Sequence, residues 1–204
     1  MRSRQHLVVA IVATLVVPVA CGSSGGGTPD PAAADVTAPP DALDPNAPEI
    51  VEPGDIPDDQ VFVTYTWPDG SFSVDVPEGW SRDEADGTVT FTDKYNTIAI
   101  SSLAAPTAPS VEAVRSSGLA DVTSDPTFHL VDVQPVTRRS GDGVLATYEI
   151  GSEPNSVTGK SALLSVERFV FFDDGNEVVL TLSGAKGADN VDPWRIVSDS
   201  LVWN

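Results

Sequence analysis

The chain has 204 residues with 11 Lys or Arg against 30 Asp or Glu, a formal net charge of −19, one cysteine and two histidines. So acidic a chain lacks the positive patches that nucleic acid and anionic headgroups require, so no nucleic-acid partner is expected. The charge is uneven, and the chain divides into three parts.

Residues 1–20 read as an export signal. Arg2 and Arg4 precede an almost wholly apolar run over 7–20, interrupted only by Thr14. That run is 14 residues long, short of the roughly 18 that span a bilayer as a permanent helix. It ends at the chain's only cysteine. Pro18-Val19-Ala20-Cys21, followed by Gly22-Ser23-Ser24, resembles a bacterial lipobox, with Pro18 where such boxes usually carry Leu. The resemblance implies a diacylglycerol and acyl (palmitate-type) anchor on Cys21, cleavage before it, and a cell-membrane location on the extracytoplasmic face. An uncleaved anchor or a cleaved soluble protein is the alternative. Acylation of Cys21 would leave no thiol for disulfides, thiol catalysis or metal ligation.

Residues 21–60 hold nine acids, eight prolines and the run Gly25-Gly26-Gly27, with no Lys or Arg. Low hydrophobicity, one sign of charge and abundant proline bury too little surface to offset chain entropy. The expectation is a disordered, self-repelling tether, a spacer rather than an arm for a basic partner.

Residues 61–204 carry regular apolar alternation and are one domain's worth of chain. Ser71–Val76 alternates polar and apolar as a half-buried strand, and Pro77-Glu78-Gly79 closes it as a turn. Thr88–Thr92 and Thr97–Ser101 follow as a hairpin across Tyr95-Asn96. Ser110 is a predicted N-cap for a helix through Val111, Val114 and Leu119. Strands are then expected over Phe128–Val136, Val144–Ile150 after a Gly141-Asp142-Gly143 turn, Lys160–Phe172, and Val178–Leu182 after an Asp173–Asn176 hairpin turn. Phe169, Val170, Phe171 and Phe172 predict a strand covered on both faces. A closing helix is predicted with Asp192 as N-cap, Pro193 at its first position and a staple from Val191 to Ile196; Trp194, Val197 and Leu201 share one stripe. The expected class is α+β, six or seven antiparallel strands with packed helices.

"FSVDVPEGW" (Phe72–Trp80), the hairpin with "TIAIS", and the run from Glu167 to Trp203 resemble the PsbP-like superfamily. That fold is shared by a photosystem II extrinsic subunit and a Ran-binding import factor. It also occurs in LpqN-type actinobacterial lipoproteins, whose lipobox, acidic tail and single domain this chain resembles. The resemblance covers residues 61–204. It implies an α-β-α sandwich and a binding or assembly role, with no catalytic residues carried over.

The residues themselves offer little chemistry. Asn155–Ser161, "NSVTGKS", lacks the first glycine of a P-loop, since Pro154 stands there, and it precedes a strand pattern. His129 alternates outward beside Phe128 and is read as exposed. Asp173–Glu177 could lend oxygens to a cation but reads as a hairpin turn without an EF-hand pattern. Trp67, Trp80, Trp194 and Trp203 are read as core staples rather than a ligand groove. No catalytic, cofactor or metal site is expected. The function expected is a lipid-anchored binding or assembly domain of the cell envelope, its ligand an unknown protein, lipid or glycan. The alternative is an envelope hydrolase with a dispersed Ser or carboxylate site.

Overall fold

The structure is a computed structural model, and it describes residues 54–154, 159 and 161–204. The predicted export signal, Cys21 and most of the predicted tether lie outside the described residues. Among the described residues, ten strands and two helical segments make the fold mainly β. Seven strands form one antiparallel sheet in the order β3 (Ser81–Ala85), β4 (Thr88–Asp93), β5 (Asn96–Ala104), β9 (Asn176–Ala185), β8 (Leu163–Asp173), β7 (Gly141–Gly151), β6 (His129–Arg138). β1 (Phe62–Thr66), β2 (Phe72–Pro77) and β10 (Val202–Trp203) form a second, three-stranded sheet in the order β1-β2-β10. The tight turns follow from their residues. Asp86-Gly87 and Asp174-Gly175 each take positive φ at both positions, as a two-residue hairpin requires.

One face of the large sheet carries Val89, Phe91, Ile98, Ile100, Phe169, Phe171, Val178, Leu180 and Leu182. These pack with Phe72, Val74 and Val76 of β2 and with Trp194, Val197 and Leu201 of the closing helix α2 (Val191–Ser200) in one core. The backbone N–H of Asp75 donates to Ser200 Oγ at 2.8 Å, tying β2 to the end of α2. A helix-rich α-β-α sandwich is therefore not what the chain builds. On this side a small sheet shares the layer with α2, because β1 and β10 pair with β2 and complete a second sheet. β1, β3 and β10 were not expected; β3, S-R-D-E-A, is exposed at every position and gives no alternation to read.

On the other face Val114 and Leu119 cover Val133, Val144, Ala146, Tyr148, Val166 and Val170. They come from a segment that begins as expected, with Ala113 N–H donating to Ser110 Oγ at 3.1 Å. It does not continue as an α-helix. α1 (Val111–Ala113) passes straight into a π-helical turn, Val114–Gly118. There the Ser116 and Ser117 hydroxyls donate back to the Glu112 and Ala113 carbonyls at 2.8 Å each, which favours local hydrogen bonding over a regular helix.

Three further expectations are corrected. Gly54–Gln60 belong to the folded domain rather than to the tether, since Ile56 is buried in the core. Gly141–Gly143 lie in β7 rather than in a turn, and a Cβ on Gly143 would sit 2.6 Å from the Val170 carbonyl oxygen. α2 begins at Val191 with Asn190 as cap residue, and Val191 and Ile196 are exposed, so no staple forms. The Asn190 side chain points into the core and does not cap the helix.

Candidate functional site

The segment carrying Val114 and Leu119 covers only half of its face of the large sheet. Over β4, β5 and β9 the residues on that face include Thr88, Thr90, Thr92, Thr97, Ala99, Ser101, Val179 and Thr181, each half-buried, with Leu103 exposed at the end of β5. Their alternation with the core residues follows from strand geometry: Val89, Phe91, Ile98 and Ile100 go inward, and the small residues that alternate with them, most of them hydroxyl-bearing, go out. Small side chains beside a raised helical segment leave a groove.

The groove has two halves that share Gly118 and Val179 as a common wall. The apolar half is a trough of about 380 Å³, bounded by Leu103, Pro106, Ala113, Val114, Val170 and Val179, with Glu177 at its border. The polar half is about 310 Å³ and is lined by Thr88, Ser101, Thr181, Asp121 and Arg168. Burial pushes the Glu177 carboxyl above the usual carboxylate range.

Arg168 is the best-built polar group in the groove. It interrupts the apolar positions Val166 and Val170 of β8 and is only 9 % exposed. Its Nε donates to Thr181 Oγ1 at 3.2 Å, and Nη1 donates to the Gly118 carbonyl at 2.9 Å. Nη1 and Nη2 also form a bidentate pair with Asp121, at 2.7 and 2.8 Å. The guanidinium lies over the Tyr148 ring, 5.7 Å from its centroid. Hydrogen bonding from Arg168 holds the Asp121 carboxyl below its ordinary range. Burial alone would lower the Arg168 pKa, but the Asp121 hydrogen bonds and the charge of its partners outweigh it and raise the value. On the opposite face burial raises Glu167, partly offset by the field of Arg138.

The residues singled out by sequence fall elsewhere. Cys21 lies outside the described residues, as do Asn155–Thr158 and Lys160; Gly159 and Ser161 are in irregular chain before β8. His129 is exposed at the start of β6, across from Glu149. Asp173–Glu177 forms the β8–β9 hairpin. Trp194 is buried, and Trp67, Trp80 and Trp203 pack against the same core, away from the groove. Arg168 and Asp121 were not singled out, although an arginine between Val166 and Val170 in an apolar strand was a readable signal of a buried charge. Among the described residues no helix is long and apolar enough to cross a membrane.

No family model matches the chain, and no curated protein matches it by sequence. Among solved structures it is similar to cyanobacterial PsbP (CyanoP) of Synechocystis sp. PCC 6803, with a TM-score of 0.48 at 15 % identity, covering 70 % of this chain and 92 % of that one. It is similar to LpqN of Mycobacterium tuberculosis, described as involved in cell envelope biogenesis, with a TM-score of 0.42 at 14 % identity, covering 71 % and 91 %. It also overlaps a Bacteroides thetaiotaomicron VPI-5482 protein with a TM-score of 0.45 at 14 % identity, over 69 % of this chain. The match spans about half of that protein's length, 48 %.

Proposed function

We propose that the chain is a lipid-anchored binding or assembly module of the cell envelope, held at the extracytoplasmic face by Cys21, and that it binds through the groove on the open half of its large sheet rather than catalysing a reaction. The observation that carries this reading is the groove's construction. A trough of about 380 Å³ adjoins a polar half floored by a buried, fully oriented arginine, within the size range of small-ligand sites. The one carboxylate in the polar half, Asp121, is engaged by Arg168 rather than free to act on a substrate, and Glu177 borders the other half. Cys21 supports the anchor through its place at the end of a short apolar run that follows Arg2 and Arg4.

The test is occupancy of the trough. Ala113 is exposed on α1 and lines the trough, so Ala113→Trp fills it without entering the core. Binding of an environment-sensitive amphiphile such as anilinonaphthalene sulfonate is expected in the wild type and lost in Ala113→Trp, with the melting temperature unchanged. Equal binding by both proteins would overturn the site.

A further inference from the structure

We infer that the ligand of this groove is a single-chain carboxylate amphiphile, whose carboxylate takes the place of Asp121 on the Arg168 guanidinium and whose hydrocarbon lies along the trough. The inference rests on the groove being the binding site and adds the class of ligand.

Arg168 has anchors besides Asp121. The Thr181 hydroxyl, the Gly118 carbonyl and the Tyr148 ring fix its plane. Its side chain is 11 % exposed, whereas that of Asp121 is 61 % exposed. The cation thus belongs to the sheet, and its carboxylate partner sits at the surface, in the run of turns after the π-helical turn. The bidentate contact shows the guanidinium presenting the fork geometry that a planar carboxylate matches. Exchanging one carboxylate for another preserves that pair and leaves no buried charge unmatched. A neutral ligand that displaced Asp121 would strand the arginine, at the cost that an unpaired buried charge carries.

The remaining features select the rest of the ligand. Thr88, Ser101 and Thr181 put hydroxyls around the head position, where they can donate to the second lone pairs of a carboxylate. The apolar half begins at the shared Gly118–Val179 wall, so a chain attached to that head enters between Val114, Val170 and Val179. Among the described residues, Arg168 is the only Lys or Arg lining either half. One cation suits a singly charged head, and a phosphate monoester would bring a second charge with nothing to match it.

The experiment titrates the full chain calorimetrically with dodecanoate, dodecanol and dodecyl phosphate, in the wild type, Asp121→Asn and Ala113→Trp. Dodecanoate is expected to bind at least about tenfold more tightly than dodecanol, the scale of one charge-assisted hydrogen-bonded pair. Asp121→Asn removes the internal competitor, so dodecanoate affinity should rise by about tenfold or more while dodecanol is unchanged. Dodecanoate should also restore the melting temperature that Asp121→Asn lowers, a rescue that a merely structural ion pair would not show. Equal affinity of dodecanol and dodecanoate in the wild type, or an unchanged preference in a folded Asp121→Asn, would overturn the carboxylate assignment while leaving the groove as a site. Tighter binding of dodecyl phosphate would place a phosphate there instead and overturn it too. No binding of any of the three, or binding indifferent to Ala113→Trp, would overturn the groove itself. If Asp121→Asn does not fold, the wild-type comparison of the three heads decides.

Discussion

The side chains of Asn96 and Asn190, 94 residues apart, are hydrogen-bonded in the core, with Asn190 Nδ2 donating to Asn96 Oδ1 at 3.0 Å. Both are 2 % exposed. Together they hold the start of the described chain: both Nδ2 groups donate to the Gly54 carbonyl, at 2.9 and 3.1 Å, and Ile56 N–H donates to Asn190 Oδ1 at 2.8 Å. Asp55 extends the clasp by accepting from the Asp189 N–H at 2.9 Å. A three-element junction of the β4–β5 hairpin, the start of α2 and Gly54–Ile56 is therefore closed by polar groups inside an apolar surround.

Asn190→Ala should be among the most damaging polar substitutions. It leaves Ile56 N–H without its acceptor and removes two donors, at about 1–3 kcal/mol for a buried group left unpaired. The expected outcome is a midpoint several degrees lower, with increased protease cleavage near Gly54, measured by thermal melting and limited proteolysis. An unchanged midpoint would show that the clasp is dispensable.

Gly184→Ala should damage the same junction from the sheet side. A Cβ there would lie 2.6 Å from Asn96 Oδ1 and 2.7 Å from Asn190 Nδ2, with Trp194 at 3.2 Å. Overpacking of this kind typically costs about 1–3 kcal/mol. The destabilisation should be less than additive with Asn190→Ala, because the alanine side chain removes one of the clashing atoms. Strict additivity in denaturant titrations of the double variant would argue against a shared junction.

Trp194→Ala removes a buried indole from the core that α2 shares with β2. Such truncations cost on the order of 3–5 kcal/mol against a total of about 5–15 kcal/mol, so a fall of roughly ten degrees or more is expected. Trp194 does not line the groove, so amphiphile affinity measured below the transition should be unaffected. A small thermal shift with lost binding would reverse the roles of core and groove.

The Asp121–Arg168 pair gives a signed pH dependence. Its carboxyl pKa is depressed in the folded state, so its contribution is present above the unfolded pKa and is lost as pH falls through the folded one. Asp121→Asn should therefore be less stable than wild type at neutral pH, and the gap should close in strongly acidic buffer. Urea midpoints at neutral and acidic pH check this; a gap that persists once the Asp121 carboxyl is protonated would assign the effect to packing.

Cys21→Ala should abolish labelling by a clickable fatty acid and either block processing or release the protein from the membrane fraction. Full labelling of the alanine variant would remove the anchor from the reading.

Local pattern was enough for the elements whose chemistry is local. The alternation of Phe72, Val74 and Val76, the Asp174-Gly175 turn, the Ser110 cap and the Trp194–Val197–Leu201 stripe are each read within a few residues, and each occurs in the structure. Hydrophobic period and turn stereochemistry act over that range, so the sequence alone carries them. What it could not carry was anything decided by partners far along the chain. β3 has no apolar residue larger than alanine and is a strand only because it pairs with β4. Asp192 reads as the cap of the closing helix, whereas Asn190 precedes that helix and its side chain is drawn into the core by Gly54, Ile56 and Asn96, all distant in sequence. Gly143 reads as a turn residue until the Val170 carbonyl and the Phe171 ring of the neighbouring strand close over it. The groove belongs to the same class: it exists where the segment after β5 stops short of covering the sheet, and its arginine, 47 residues from its carboxylate, meets it only across that uncovered face. Burial, backbone approach and charge pairing are set by atoms brought together through space, and only the tertiary structure fixes which atoms those are.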